Sequence, residues 1–123
     1  MNNKKLVILL VEDSLLIIER IIGMLGELDN VKLIVHAANY RESIRMMNEV
    51  SADVVLLDLN LPDKSGIELL QVIKTTQPKM KVIVLTNHAT EGYREICTSM
   101  GADYFFDKSN DFDKIPDVIG SMC

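Results

Sequence analysis

The sequence predicts an α/β fold, a doubly wound five-stranded parallel sheet with five helices covering its faces. Three observations predict it. Leu6–Val11, Val54–Leu57 and Val82–Leu85 are apolar runs without alternation, as expected of strands buried on both sides. Between such runs, apolar residues recur at three- and four-residue spacing, so strand and helix alternate along the whole chain. Each run also ends in a polar residue followed by turn chemistry, which gathers polar side chains at one edge of the sheet.

The bulk numbers agree. A chain of 123 residues is read as one domain spanning 1–123. It has no Trp and few other aromatics, so Ile, Leu, Val and Met must fill the core. A net charge of −5 repels phosphate backbones and argues against direct nucleic-acid binding, although the chain could regulate a protein that binds DNA. The start, Met1-Asn2-Asn3-Lys4-Lys5, is basic, but the apolar run after it, Leu6 to Val11, is too short for a signal peptide or a membrane span. A cytoplasmic protein without membrane contact is expected. Cys97 and Cys123 are isolated, lack metal-ligand spacing and are expected to stay reduced, Cys97 as a small packing residue.

The first strand, Leu6–Val11, exits into Glu12-Asp13-Ser14, with Ser14 placed to cap a helix. That helix is expected from Leu15 to Leu28, with Leu16, Ile17, Ile21, Leu25 and Leu28 inward and Leu15, Ile18 and Ile22 widening the apolar face; Gly23 and Gly26 suggest close packing. Val31–Ala37 carries Lys32 and His36 and is the most polar strand, which suits a sheet edge. Asn39 reads as the cap of a helix to about Val50, facing in with Tyr40, Ile44 and Met47. The central strand ends at Asp58, and Pro62 with Asp63-Lys64-Ser65-Gly66 stops it. A helix from Gly66 to Thr76 buries Ile67, Leu70 and Ile73, and Pro78 follows its end. Val82–Thr86 is the fourth strand. Thr90 then caps a helix with a Tyr93, Ile96, Cys97 and Met100 stripe, read as core before partner surface, that stops at Gly101. Asp103–Phe106 is a short last strand. The final helix, about Asp113 to Met122, starts late enough to hold Pro116 in its first turn, with Ile115, Val118, Ile119 and Met122 inward.

The polar strand ends converge. Glu12, Asp13, Asp58, Thr86 and Lys108 all fall at the carboxyl edge of a parallel sheet. Three neighbouring carboxylates repel unless a cation neutralises them, and a hard divalent ion such as Mg²⁺ suits an all-oxygen set. Lys108 offers a compact cation and Thr86 a hydroxyl for the oxygens of an anion. These are parts that stabilise a phosphoryl group in transit, with Asp58 the central carboxylate and candidate nucleophile. No Ser-His-Asp or Cys-His grouping is evident, and His36 and His88 are too few for zinc without thiolates. Taken alone, Asp58 could equally begin a turn.

Along nearly its whole length the chain resembles a bacterial two-component response regulator receiver domain. The matching stretches are Val11-Glu12-Asp13-Ser14, Leu57-Asp58-Leu59-Asn60-Leu61-Pro62-Asp63-Lys64-Ser65-Gly66, Leu85-Thr86, Gly101-Ala102-Asp103-Tyr104-Phe105 and Asp107-Lys108. The resemblance implies a flavodoxin-like strand order 2-1-3-4-5. It implies a signalling switch, not a metabolic enzyme, in which Asp58 is the phosphoacceptor for a sensor histidine kinase or phosphotransfer protein. It further implies Mg²⁺ held by Asp13, Asp58 and the Asn60 carbonyl, with Glu12 acting through water. Thr86 and Lys108 would bind phosphoryl oxygens, and Thr86 and Phe105 would form the switch. A homodimer or an output domain would engage the face made by the fourth helix, fifth strand and fifth helix.

Two departures stand out. Glu12 occupies a position more often Asp, and its longer arm still reaches metal-bound water. Ser109 stands where many members carry Pro, so a trans Lys108–Ser109 bond is expected. His88 reads first as a solvated loop residue, with tuning of hydrolysis as the alternative. Competing functions remain open: a degenerate receiver that binds partners without phosphorylation, a flavodoxin-like FMN carrier, or a phosphatase with an aspartyl nucleophile. Glu12-Asp13 would repel an FMN phosphate, and Asn60 stands where many such phosphatases carry a second acid. A stand-alone receiver and the front of a longer regulator are both compatible with the chain.

Overall fold

The computed structural model describes residues 5–122; Met1–Lys4 of the basic start, and Cys123, lie outside the described residues. The elements run β1 (Leu6–Val11), α1 (Leu15–Leu25), β2 (Val31–Ala37), α2 (Tyr40–Glu49), β3 (Val54–Asp58), α3 (Gly66–Thr76), β4 (Lys81–Thr86), α4 (Glu91–Ser99), β5 (Tyr104–Asp107) and α5 (Lys114–Gly120). All strand pairs are parallel, in the order β2-β1-β3-β4-β5. The order follows the burial patterns: every residue of β3 is buried, whereas polar β2 and short β5 take the edges.

The pleat sends alternate residues of the central strands into two cores. Leu9, Val11, Val55, Leu57, Val82 and Val84 pack under α2, α3 and α4. Ile8, Leu10, Val54, Leu56, Ile83 and Leu85 pack under α1 and α5. Asn39 caps α2 by accepting the Glu42 N–H at 2.8 Å. Ser65 and Thr90 cap α3 and α4 in the same way, at 3.1 and 3.2 Å. Gly101, with φ of 102°, ends α4 in the left-handed region that favours glycine. Pro116 lies within the first turn of α5, where its missing N–H costs nothing.

Several sequence expectations are corrected. α1 stops at Leu25 instead of Leu28, and Gly26 closes it through its N–H to the Ile22 carbonyl. Leu16, expected inward, is 79% exposed, and Leu15 is 66% exposed. The apolar residues of α1 cover more of its circumference than one sheet face can bury, so Ile18, Ile21 and Leu25 take the core. Gly23 faces open space and serves no close packing. In α3 Leu69 joins Leu70 and Ile73 in the core, while Ile67 is half-buried. On α4 only Cys97 is buried; Tyr93 and Ile96 face solvent, because this helix sits over a narrow edge strand that can cover a single stripe.

Strand register sets the functional edge. Val11 lies opposite Leu57, Asp58 opposite Leu85, and Thr86 opposite Asp107. The residues leaving four adjacent strands therefore emerge side by side.

Candidate functional site

Glu12 leaves β1 almost fully buried and held at four atoms. Its N–H donates to the Ala37 carbonyl at 3.0 Å, and its own carbonyl lies 2.8 Å from His36 Nε2. Oε2 accepts the Ser14 N–H at 3.1 Å, and Oε1 lies 2.7 Å from Lys108 Nζ. Ser14 thus contributes to α1 no side-chain cap; its amide serves Glu12 instead. Asp13, next in the chain, is exposed at the mouth of the site.

Asp58 closes β3 at 3% exposure. Oδ1 accepts the Asn60 N–H at 3.0 Å, and Oδ2 lies 3.3 Å from Lys108 Nζ. The loop beyond it folds back tightly: the Gly66 N–H donates to the Leu59 carbonyl at 2.8 Å, and a Cβ on Gly66 would run into the Asp58 carbonyl oxygen and Leu59 Cα. Asp63 ties the same loop to α2, its carboxylate accepting the Tyr40 and Arg41 N–H groups at 2.9 and 3.1 Å. Desolvation is the largest single influence on Asp63 and works against its ionisation, but the Tyr40, Arg41, Asp63 and Lys64 amides together outweigh it and hold its carboxyl below the usual range.

Electrostatically the site is acid-rich. Carboxylate oxygens of Glu12, Asp13 and Asp58 lie within 4.8 Å of one another. Burial is the main cause that raises the Glu12 carboxyl above its ordinary value; the Lys108 hydrogen bond opposes this and the Asp58 charge adds to it. One ammonium thus pairs with the two buried acids, and the exposed Asp13 carboxylate stands beside them. The donors are all hard oxygens, so the residues present fit a small divalent cation such as Mg²⁺ better than a soft metal.

Thr86 ends β4 fully buried, its Oγ1 accepting the His88 N–H at 3.0 Å and its carbonyl accepting the Lys108 N–H at 3.0 Å. His88 is exposed in the loop, as its first reading expects. Phe105 pairs with Val84 on β4, so it lies on the same sheet face as Thr86, two residues further along. Its ring is already inward at 6% exposure, with the Arg94 guanidinium 4.9 Å from the ring centroid and Arg94 Nη1 3.4 Å from the Phe105 carbonyl. No cis peptide occurs among the described residues.

The structure therefore joins Glu12, Asp13, Asp58 and Lys108 into one cluster. Asn60 meets it through its amide, and Thr86 and Phe105 stand along the adjoining strands. Sequence reasoning overlooked His36 as a partner of Glu12, Asp63 as the tether of α2, and Arg94 over Phe105. None had a local signal, since the contacts of His36 and Asp63 span more than twenty residues of chain and that of Arg94 needs the α4–β5 packing.

Comparison with known proteins agrees with this fold. The family model described as response regulator receiver domain matches residues 8–120. A protein-glutamate methylesterase/protein-glutamine glutaminase of Treponema denticola is 32% identical over 103 residues, covering 82% of this chain and 28% of that protein. The chain spans only about three tenths of the length of such relatives. Among solved structures, the signal receiver domain of a DNA-binding response regulator from Colwellia psychrerythraea has a TM-score of 0.86 at 26% identity, covering 94% of this chain and 95% of that one. The phosphorylated cyanobacterial phytochrome response regulator RcpA has a TM-score of 0.80 at 26% identity, covering 94% of this chain and 89% of that one. Among the described residues, no helix is long and apolar enough to cross a membrane.

Proposed function

Since the chain belongs to the response regulator receiver domain family of two-component systems, we propose that it is a phosphoryl-activated switch whose acceptor is Asp58. The observation that carries this reading is the placement of the Asp58 carboxylate between a buried ammonium and two further acids. An Asp58 oxygen forms the new P–O bond while the P–N bond of a donor phosphohistidine breaks, its electron pair returning to the imidazole. A Mg²⁺ held by Asp13, Asp58 and the Asn60 carbonyl, with Glu12 acting through water, would supply the charge neutralisation that transfer requires. Lys108 and Thr86 receive the phosphoryl oxygens, Thr86 by releasing the His88 amide that now engages its hydroxyl. Phe105 and Thr86 share a sheet face, so a shift of one alters the packing space of the other.

The exposed surface suits two kinds of protein partner. Leu15 and Leu16 stand just beyond Asp13 and offer an apolar landing for a histidine kinase or phosphotransfer protein. Tyr93, Ile96 and Tyr104 are exposed on α4 and β5 and support an output domain or a second copy on the α4–β5–α5 face. Residues 1–123 act as one receiver unit in the cytoplasm in this reading, and catalysis is confined to its own phosphoryl transfer and dephosphorylation.

The test is incubation with Mg²⁺ and acetyl phosphate followed by intact mass measurement. A single phosphoryl adduct is expected, absent without Mg²⁺ and absent in Asp58→Ala. An adduct that survives Asp58→Ala sinks the assignment, and no adduct at all points to a receiver that binds partners without phosphorylation.

A further inference from the structure

Glu12 is held by four groups, and one of them, the His36 imidazole, has no part in the chemistry above. We propose that His36 is a positioning residue of the metal site, fixing the peptide from which Glu12 and Asp13 diverge. The inference rests on the reading that this site takes Mg²⁺.

The β1–β2 ladder ends at Val11 opposite Ala37. Glu12 extends it by one bond, donating its N–H to the Ala37 carbonyl at 3.0 Å. β2 ends at Ala37, and the next amide, Ala38 N–H, donates to Glu42 Oε1 at 3.0 Å, so β2 provides no further backbone donor for the Glu12 carbonyl. A carbonyl at the edge of a buried acid needs a partner. His36 Nε2 meets it at 2.8 Å from a solvent-exposed position on the edge strand. A carbonyl only accepts, so Nε2 carries the hydrogen; the Nε2–H tautomer and the imidazolium both satisfy the contact.

The consequence lies in which peptide is held. The Glu12 carbonyl belongs to the planar unit joining Glu12 to Asp13, so fixing its plane fixes how the two side chains diverge. Glu12 points inward to Lys108 and Asp13 outward to the mouth of the site. Rotation of this peptide would separate their oxygens, which now lie within 4.8 Å of each other and of Asp58. Such supporting contacts act through the ligands they orient.

The test is calorimetric titration of the chain with Mg²⁺, paired with phosphorylation by acetyl phosphate at varied Mg²⁺. His36→Phe keeps the ring and loses the donor, and is expected to weaken Mg²⁺ binding about tenfold. Its phosphorylation rate at saturating Mg²⁺ stays near that of the wild type. His36→Gln, whose side-chain amide can donate, recovers part of the affinity. Val35→Ala, on the same strand, lowers the thermal midpoint without changing Mg²⁺ affinity. Unchanged Mg²⁺ binding in His36→Phe, or a loss equalled by Val35→Ala, overturns the inference. A wild type that binds no Mg²⁺ overturns instead the metal-site reading on which it rests.

Discussion

The Lys108 ammonium stands 2.7 Å from Glu12 Oε1, with both side chains almost wholly withdrawn from water. The same ammonium reaches Asp58 at 3.3 Å. Removing one partner of a buried pair leaves the other charge uncompensated. Lys108→Met is expected to lower Mg²⁺-free stability at neutral pH by about 3 kcal/mol. Added Mg²⁺ should then raise the thermal midpoint of the variant more than that of the wild type, since a cation is now missing from the site. Equal Mg²⁺ responses in thermal unfolding would refute this account of Lys108 as the resting counter-charge.

Gly66 sits where a Cβ would collide with the main chain of Asp58 and Leu59. Backbone cannot move aside as a flexible side chain can. Gly66→Ala should cost about 3 kcal/mol in urea unfolding and should slow phosphorylation, because the displaced loop carries Asn60. An alanine variant with wild-type stability would show that the loop relaxes freely.

Asp103 joins α3 to β4: Oδ2 accepts the Val82 N–H and the Lys74 ammonium, both at 2.9 Å, and Lys81 lies 3.7 Å from Oδ1. Partial burial opposes ionisation, but these donors outweigh it and hold the carboxyl below its ordinary value of 3.8. With the folded value depressed, the stabilisation is present above the unfolded value and is lost as pH falls through the folded one. Asp103→Asn should cost about 1 kcal/mol at neutral pH, discounted for solvent access, and should flatten the acid limb of the stability curve below about pH 4. Denaturant midpoints across that range would decide it.

Ile96 and Cys97 are adjacent on α4 with opposite fates, one exposed and one fully buried. Ile96→Ser should alter stability by less than about 0.5 kcal/mol. Cys97→Ser should cost about 2 kcal/mol, because its hydroxyl enters an apolar core. If Ile96→Ser proves the more damaging, the sequence expectation of a core stripe through Tyr93 and Ile96 regains force.

Much of this protein is legible in one dimension. Unbroken apolar runs mark β1, β3 and β4, because strands buried on both faces tolerate no polar alternation. The acids and the lysine at strand ends are readable because a parallel sheet sends every such end to one edge. Asn39 and Thr90 are visible as caps since a helix start requires a local acceptor for its free amides.

What the sequence by itself determined is therefore the sheet, its central strands and the membership of the Glu12, Asp13, Asp58 and Lys108 cluster. Only the tertiary structure decided which apolar faces stay open. Leu16, Tyr93 and Ile96 have the periodicity of core residues, but periodicity measures a helix face, not the width of the sheet beneath it. The long-range ties were also decided there. His36 on Glu12 and Asp63 on α2 join residues far apart in the chain, and no local pattern encodes a contact that exists only once β2, α2 and the β3–α3 loop have packed. Asp58 shows both sides: its type and position identify it as a candidate, and folding supplies the ammonium and neighbouring acids that surround its carboxylate.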